Sequence, residues 1–224
     1  MWGRSSSKPK LIYSTTSPLS GKINVWQQGE ERILEVGGYT QSVNLAAKDF
    51  KNRVWGRMVK ELARRIDNPQ SALILGLGGG TVAHLLSKTF SGIAIDGVEL
   101  DPVVVGVGER YFRFGEIPNL KVIVADAYEL VKNPKKYPLR ADTYSTIIVD
   151  LFLGGGWSKQ LEEIEFHQSV RNLLAKEGVV VFNRVSGFDR KQFHTTLSKI
   201  FAKIEVVEVG YKSLPFGNTL YLCQ

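Results

Sequence analysis

The first part of the chain, up to about residue 45, alternates apolar and polar positions. The alternation covers "KINVWQQ" and "ERILEVGGYTQSV", which lie on either side of a turn at "QGEE". Alternation with a period of two residues indicates half-buried β-strands. We therefore expect a small β-unit over residues 11–48, preceded by a disordered tail over residues 1–10.

Helical spacing replaces this alternation from residue 50. Apolar residues recur every four positions in this segment, at Val54, Met58, Leu62 and Ile66. The pattern ends before Asn68-Pro69, and proline cannot continue a helix. The spacing predicts an amphipathic helix that connects the β-unit to the rest of the chain.

From residue 71 onward, runs rich in Val and Ile alternate with segments at helical spacing. The predicted strands are "ALILGLG", "IAIDGVEL", "LKVIVAD", "YSTIIVDLF", "VVVFNRV", "IEVVEVGY" and "NTLYLCQ", and the predicted helices are "TVAHLLSKTF", "DPVVVGVGERYF", "AYELVK", "LEEIEFHQSVRNLLAKEG" and "DRKQFHTTLSKIFA". Strands that are each followed by a helix are typical of a parallel sheet covered on both faces. No helix separates the last two strands, so we expect them to form an antiparallel hairpin at one edge.

These patterns together predict an α/β fold. Residues 49–224 are expected to form a Rossmann-like, doubly wound and mostly parallel sheet with its antiparallel edge hairpin. The small N-terminal β-unit precedes it.

Composition is that of an ordinary soluble protein. The chain has 224 residues, of which 43% are hydrophobic and 23% charged, which suits one large domain or one domain with a small addition. The single cysteine, Cys223, excludes an internal disulfide, and the three histidines show no metal-ligand spacing. No apolar stretch approaches the roughly 18 residues of a membrane span. We expect a cytoplasmic protein without a metal or a membrane partner.

The charge balance changes this picture little. Lys and Arg number 29 and Asp and Glu 22, which gives a net charge of +7. The basic residues are dispersed along the chain, as on a solvated surface, although nucleic acid stays open as a partner. The sequence does not fix the oligomeric state, and a homodimer is compatible with it.

Four glycines, Gly76, Gly78, Gly79 and Gly80, mark a turn between a predicted strand and a predicted helix. In doubly wound sheets, ligands bind at such carboxyl ends of strands. The dinucleotide pattern G-x-G-x-x-G fails because its last glycine is replaced by Thr81, and a P-loop is excluded because no lysine follows the glycines. The remaining pattern, G-x-G-x-G, is that of S-adenosylmethionine-type nucleoside sites.

Three carboxylates end the next three predicted strands. Glu99 lies about 20 residues after the glycines, where an acidic side chain can accept hydrogen bonds from both ribose hydroxyls. Asp126 is placed to receive an adenine amino group, although it could equally cap the helix that follows it. Asp150 ends the fourth strand. Together with the glycine turn, these positions favour a nucleoside site.

Five segments now carry a family resemblance: "LILGLGGGTVAHLL", "GVELDPVVVGVGERYF", "LKVIVADAYELV", "STIIVDLF" and "EFHQSVRNLLAKEGVVVFN". In this order they resemble the spermidine synthase-like family, a branch of the class I S-adenosylmethionine-dependent methyltransferase fold. The resemblance implies a sulfonium donor, either S-adenosylmethionine or its decarboxylated form. By that resemblance we assign to the donor Gly76, Gly78 and Gly80 around the pocket, Glu99 on the ribose, Asp126 on the adenine, Ala127 as a further contact and Gln41 as the residue that closes the pocket.

Two departures from the family concern the acceptor. Spermidine synthases carry an aspartate inside the turn, written GGGDG, and a second pair spaced D-x-x-D, whereas this chain has Gly79 and Leu153 at two of those positions. Such acids hold a cationic amine. A glutamate from the following segment, Glu162, Glu163 or Glu165, could replace them. Without a replacement we expect a small-molecule acceptor, such as an amine, that is less cationic or larger than putrescine.

The chemistry requires little from the protein, because a sulfonium carries its own leaving group. Asp150 is the candidate catalytic residue, placed to take the proton of an attacking amine. Residues 153–160 are interpreted as a flap, in which Trp157 either covers the acceptor or packs on the rim. Aminopropyl or related alkyl transfer is the favoured function. Methyl transfer is the alternative, followed by a non-catalytic nucleoside-binding or nucleic-acid-associated protein.

Overall fold

The computed structural model describes residues 8–47, 49–152, 158–185, 189–210 and 217–224. Its strands form two sheets, one antiparallel sheet of four strands at the N-terminus and one mostly parallel sheet of seven strands. This arrangement confirms the predicted fold class.

The N-terminal sheet is a meander of consecutive strands. It contains β1 (Lys10–Ser17), β2 (Gly21–Gln28), β3 (Glu31–Val36) and β4 (Tyr39–Val43), paired in sequence order. The hairpin of β2 and β3 was predicted. The segment "ERILEVGGYTQSV" is two strands rather than one, because Gly37 and Gly38 both adopt positive φ and turn the chain back. β1 was not among the predicted strands.

The seven-stranded sheet has the order β10-β11-β9-β8-β5-β6-β7. Its elements are α1 (Val54–Leu62), β5 (Ser71–Leu75), α2 (Thr81–Thr89), β6 (Ala94–Glu99), α3 (Pro102–Phe112), β7 (Leu120–Val124), α4 (Ala127–Lys132), β8 (Tyr144–Val149), α5 (Ile164–Asn172), β9 (Leu174–Val185), α6 (Arg190–Leu197), β10 (Ile204–Val209) and β11 (Asn218–Cys223). β11 is antiparallel to both of its neighbours, which confirms the predicted edge hairpin of β10 and β11.

Successive residues of each central strand point to opposite faces of the sheet. In β9, Val179 and Val181 pack in one core with α1, α2, α3 and the N-terminal sheet, whereas Val180 and Phe182 pack in a second core with α4, α5 and α6. Burial on both faces explains why the central strands are continuous apolar runs.

The helix predicted over residues 161–178 is shorter in the structure. α5 ends at Asn172 and β9 begins at Leu174, which pairs with Tyr144 of β8. Leu173 and Leu174 are both buried in the second core. Buried leucines at these positions are compatible with a helix or with a strand. Pairing with the edge of β8 makes the segment from Leu174 a strand.

A buried hydrogen-bond cluster joins the N-terminal sheet to the glycine turn. The Thr81 hydroxyl accepts from the Val43 amide at 2.9 Å and donates to the Val43 carbonyl at 2.7 Å. The Gly79 amide donates to the Ser42 hydroxyl at 2.7 Å. β4 is therefore fixed directly above the turn.

Among the residues that the structure describes, no helix combines the length and the apolar character that crossing a membrane would require.

Replacing Thr81 with Val keeps the side-chain shape and removes both bonds to Val43. Because the Val43 amide and carbonyl then stay buried without a partner, we expect the free energy of unfolding to fall by about 1–3 kcal/mol. Chemical denaturation followed by circular dichroism measures this loss. Thr195→Val is the matched control, since the exposed Thr195 hydroxyl donates to the Lys191 carbonyl of its own helix, and a loss equal to that of the control would contradict the prediction.

Candidate functional site

A cavity of about 310 Å³ lies at the carboxyl ends of β5, β6, β7 and β8, beneath β4. It is next to the point where the strand order reverses, since β6 and β8 lie on opposite sides of β5. We call it the donor cavity. The described residues that line it are Gln41, Ser42, Trp55, Gly76, Leu77, Gly78, Thr81, Val82, Val98, Glu99, Leu100, Ala125, Asp126, Ala127, Tyr128, Asp150, Leu151, Phe152, Ser158, Gln160 and Leu161.

Seven of the eight residues assigned from the sequence line this cavity, and Gly80 is the exception. Gly80 adopts a positive φ as the N-cap of α2, and a Cβ there would lie 2.7 Å from the Phe114 ring. Its glycine requirement comes from the turn and from packing. Gly76 also has a positive φ, and a Cβ there would lie 2.3 Å from the Asp150 carbonyl oxygen. At Gly76 the backbone of Asp150, rather than a bound ligand, leaves no space for a side chain.

The backbone amides of the glycine turn bond within the protein. Gly76 and Leu77 donate to the Val98 carbonyl, and Gly80 donates to the Leu77 carbonyl. Gly78 donates to the Glu99 carboxylate at 2.9 Å. A phosphate-binding loop instead points such amides at its ligand. The turn therefore lacks the amide cradle that a pyrophosphate requires.

Glu99 is half buried at the end of β6. One carboxylate oxygen accepts from the Gly78 amide and the other accepts from the Asp101 amide at 3.2 Å. Burial raises the pKa of Glu99, and these backbone hydrogen bonds oppose that rise. Each carboxylate oxygen can accept a second hydrogen bond, so Glu99 can support the turn and still bind two hydroxyl groups in the cavity.

Asp126 caps α4, as one of the two sequence interpretations held. Its Oδ1 accepts from the Tyr128 amide at 2.7 Å, and the side chain is exposed. Asp126 and Ala127 both line the donor cavity. Within the described part of the chain, the second oxygen of Asp126 has no hydrogen-bond partner, so capping leaves it available to a ligand.

Asp150 follows β8 and is held from two sides. The Trp55 indole donates to Oδ2 at 3.0 Å, and the Asn183 amide group donates to Oδ1 at 2.7 Å. Asn218 in turn donates to the Asn183 side-chain oxygen at 2.9 Å. Burial raises the pKa of Asp150, while the two hydrogen bonds act against that rise. The carboxylate is thus oriented and more basic than an exposed aspartate.

A second, more open cavity of about 640 Å³ adjoins the first. We call it the acceptor cavity. Its described lining is Tyr39, Thr40, Gln41, Asp49, Asn52, Arg53, Val54, Trp55, Asp150, Phe152, Asn183, Val185, Val209, Gly210, Gly217 and Asn218. Four residues line both cavities, namely Gln41, Trp55, Asp150 and Phe152. Asp150 therefore stands where a group bound in one cavity would meet a group bound in the other.

The structure gives a reason for the glycine at the position of the family aspartate. A Cβ at Gly79 would lie 2.7 Å from the Ser42 Cβ, so the docked β4 strand leaves no room for a longer side chain. Leu153 and Trp157, and with them most of the predicted flap, lie outside the described residues.

The three candidate replacement glutamates line neither cavity. Glu162 bonds Arg184 at 2.6 Å and Glu163 accepts from the Tyr128 hydroxyl at 3.0 Å. Glu165 is exposed on α5. In this structure none of them replaces the missing acceptor-side acids.

Sequence reasoning missed the side chains that hold Asp150. Asn183 is 5% exposed within the apolar strand "VVVFNRV", and a polar residue in such a run signals a partner. Trp55 gives no such signal, since its position on α1 fits ordinary core packing.

No group of His, Cys, Asp or Glu side chains suited to a metal ion occurs within residues 8–47, 49–152, 158–185, 189–210 and 217–224.

Similarity to known proteins agrees with this geometry. A polyamine aminopropyltransferase of Vibrio vulnificus is 36% identical over 118 residues, which cover 53% of this chain and 38% of that protein. A human eEF1A lysine and N-terminal methyltransferase is 29% identical over 126 residues, which cover 54% of this chain and 18% of that protein. The chain thus aligns with less than half the length of either relative.

The fold is also known from solved structures. The crystal structure of a probable spermidine synthase from Corynebacterium glutamicum superposes with a TM-score of 0.75 at 18% identity, covering 97% of this chain and 80% of that one. The model of one sequence family, described as the spermine/spermidine synthase domain, matches residues 54–215. This match covers more than half of the chain, and the protein therefore belongs to the spermine/spermidine synthase domain family.

Proposed function

We propose that this protein transfers an aminopropyl or related alkyl group from an S-adenosylmethionine-type sulfonium donor to an amine acceptor. The observation that carries the proposal is the junction of two cavities at one oriented carboxylate, Asp150. A donor held in the first cavity and an amine held in the second would meet beside it.

The charges of the donor cavity favour the decarboxylated donor. Its described lining contains three carboxylates, Glu99, Asp126 and Asp150, and no lysine, arginine or histidine. Decarboxylated S-adenosylmethionine carries a sulfonium and an ammonium, whereas S-adenosylmethionine adds a carboxylate. That carboxylate would face acidic side chains without a basic partner, which disfavours its binding.

The proposed reaction is a direct displacement. The amine nitrogen attacks the methylene carbon next to sulfur, a C–N bond forms, and the C–S bond breaks to release neutral methylthioadenosine. Asp150 takes the proton that the nitrogen loses and passes it to solvent. Trp55 and Asn183 fix the direction in which its oxygens face, and positioning of this kind supplies much of the rate of such displacements.

A second candidate function is methyl transfer, because part of the chain is similar to a eukaryotic lysine and N-terminal methyltransferase. The two functions are separated by incubating the protein with each donor and a panel of primary amines, and by identifying the product from its mass. Aminopropylated amine from the decarboxylated donor supports the proposal, and methylated product from S-adenosylmethionine alone overturns it.

No feature of the described cavity walls favours nucleic acid. Arg53 is the one basic side chain in the described lining of the two cavities, and it is paired with Glu31 and Asp49.

Replacement of Glu99 with Ala is expected to weaken donor binding, because the carboxylate is proposed to accept from the donor hydroxyl groups and also supports the glycine turn. Hydrogen bonds to a charged group contribute about 1.5–3 kcal/mol each, so affinity for methylthioadenosine should fall at least about tenfold. Calorimetry measures the affinity. Glu109→Ala, at an exposed carboxylate on α3, is the matched control, and an unchanged affinity in the Glu99 variant would remove Glu99 from the site.

Replacement of Asp150 with Asn should keep the binding of neutral methylthioadenosine and strongly lower turnover. Asparagine has nearly the same shape but cannot accept a proton, and loss of a general base costs about 10²–10⁴ in rate. Release of methylthioadenosine with the best amine of the panel gives the rate, and calorimetry gives the affinity for added methylthioadenosine. Full turnover in the variant would show that Asp150 has a structural role and is not the general base.

Replacement of Trp55 with Phe should shift the pH dependence of turnover. The Trp55 hydrogen bond favours the charged carboxylate and lowers the pKa of Asp150, so its removal raises that pKa. Because Asp150 must be ionised to take a proton, the acidic limb of the kcat/KM profile moves to higher pH. Trp26→Phe, on β2 away from both cavities, is the control and should not change the pH of the acidic limb. The same pH for this limb in both variants would contradict the prediction.

A further inference from the structure

We propose that the acceptor cavity binds amines with one ammonium group on an apolar, aromatic body, rather than diamines. The inference rests on the proposed function for the transfer step, but the binding it describes can be measured without turnover. The arrangement of polar and apolar walls in the acceptor cavity carries it.

Neutral amide side chains accompany Asp150 in the lining of this cavity. Gln41, Asn183 and Asn218 line it together with that carboxylate, and Asn183 and Asn218 are joined in the hydrogen-bond chain that ends on it. An ammonium group beside Asp150 would therefore find one carboxylate and neutral amide groups. This end of the cavity suits one positive charge.

Other parts of the lining are apolar. Val54, Val185 and Val209 belong to it, and Tyr39 lies edge-on to Phe152 with ring centroids 5.3 Å apart. Tyr39 is 51% exposed and Val185 is 43% exposed. Large apolar side chains that stay exposed beside a polar pocket are typical of a surface that contacts a ligand. They suit an aromatic or aliphatic body.

Among the described residues of this cavity, a second ammonium group would find no free carboxylate. Asp49 is the other acid in its described lining, and it accepts from Arg53 at 2.9 Å, while Arg53 also bonds Glu31 at 2.9 Å. A second ammonium group in the described part of the cavity would therefore gain no ion pair to offset its partial desolvation.

The same cavity is also large for a simple diamine. Its volume of about 640 Å³ is within the range of pockets that bury drug-sized ligands. A four-carbon diamine would leave most of the apolar wall uncovered, whereas an arylalkylamine would cover more of it.

The test is calorimetric binding of three amines to the full chain saturated with methylthioadenosine. The probes are 2-phenylethylamine, n-butylamine and putrescine. We expect 2-phenylethylamine to bind at least about tenfold more tightly than putrescine, because it places one charge at Asp150 and an aromatic ring on the apolar wall. Putrescine binding as tightly or more tightly overturns the proposal, and so does a failure of all three amines to bind.

The variant Tyr39→Ala tests whether Tyr39 contacts the aromatic ring of 2-phenylethylamine. This variant should weaken 2-phenylethylamine about fivefold to tenfold and change n-butylamine by less than about twofold, because only the first amine carries a ring. Leu19→Ala is the matched control, since Leu19 is 52% exposed and lies outside the described lining of both cavities. Equal affinities for 2-phenylethylamine in the two variants would show that Tyr39 does not contact the aromatic ring of the amine.

Product analysis distinguishes this inference from the proposed function. If 2-phenylethylamine binds as expected and neither donor yields an alkylated product, the proposed transfer fails while the acceptor class stands. If putrescine is aminopropylated efficiently, with saturation in the micromolar range, the transfer stands and the inference fails.

Discussion

The site depends on the docking of β4 onto the glycine turn. One hydroxyl group, that of Thr81, both accepts from and donates to the backbone of Val43, and the neighbouring Ser42 hydroxyl accepts from Gly79. These buried bonds fix the N-terminal sheet as the roof of the donor cavity and bring Gln41 into the lining of both cavities. They also fill the space in which the family aspartate would stand. The docking of β4 therefore shapes the donor cavity and also leaves no space for an acidic side chain at Gly79.

Strand order is the part of the candidate site that could be predicted from the sequence. Glu99, Asp126 and Asp150 lie at the carboxyl ends of apolar strands, and parallel strands bring these ends together. Trp55 and Asn183 were missed because α1 and β9 are distant from Asp150 in sequence. Only the pairing of β8 with β9 and the path of α1 bring them to it. The wrong helix over residues 173–178 has a similar origin, since strand pairing outweighed a local pattern that fitted two structures.

The carboxylates of the donor cavity each have a structural role as well as a proposed functional one. Asp126 caps α4 and Glu99 accepts from the glycine turn, and both still line the cavity. A carboxylate has about four acceptor positions, so one or two backbone bonds fix its orientation without exhausting it. The choice between a capping residue and a binding residue, which the sequence left open for Asp126, is therefore not exclusive.

The acceptor cavity also contains a carboxylate with a structural role, but the partner of this carboxylate is charged. Its second acid, Asp49, is engaged by Arg53, and Arg53 is shared with Glu31 on the N-terminal sheet. This ion-pair group ties β3 to the segment before α1, so a ligand ammonium could use Asp49 only by competing with a guanidinium held at two points. Asp150 has neutral donors instead, and neutral donors orient a carboxylate without cancelling its charge. Within its described lining, the acceptor cavity thus presents one carboxylate without a charged partner, Asp150, at the point where the two cavities meet. In the proposed reaction this carboxylate takes the proton that the acceptor amine loses.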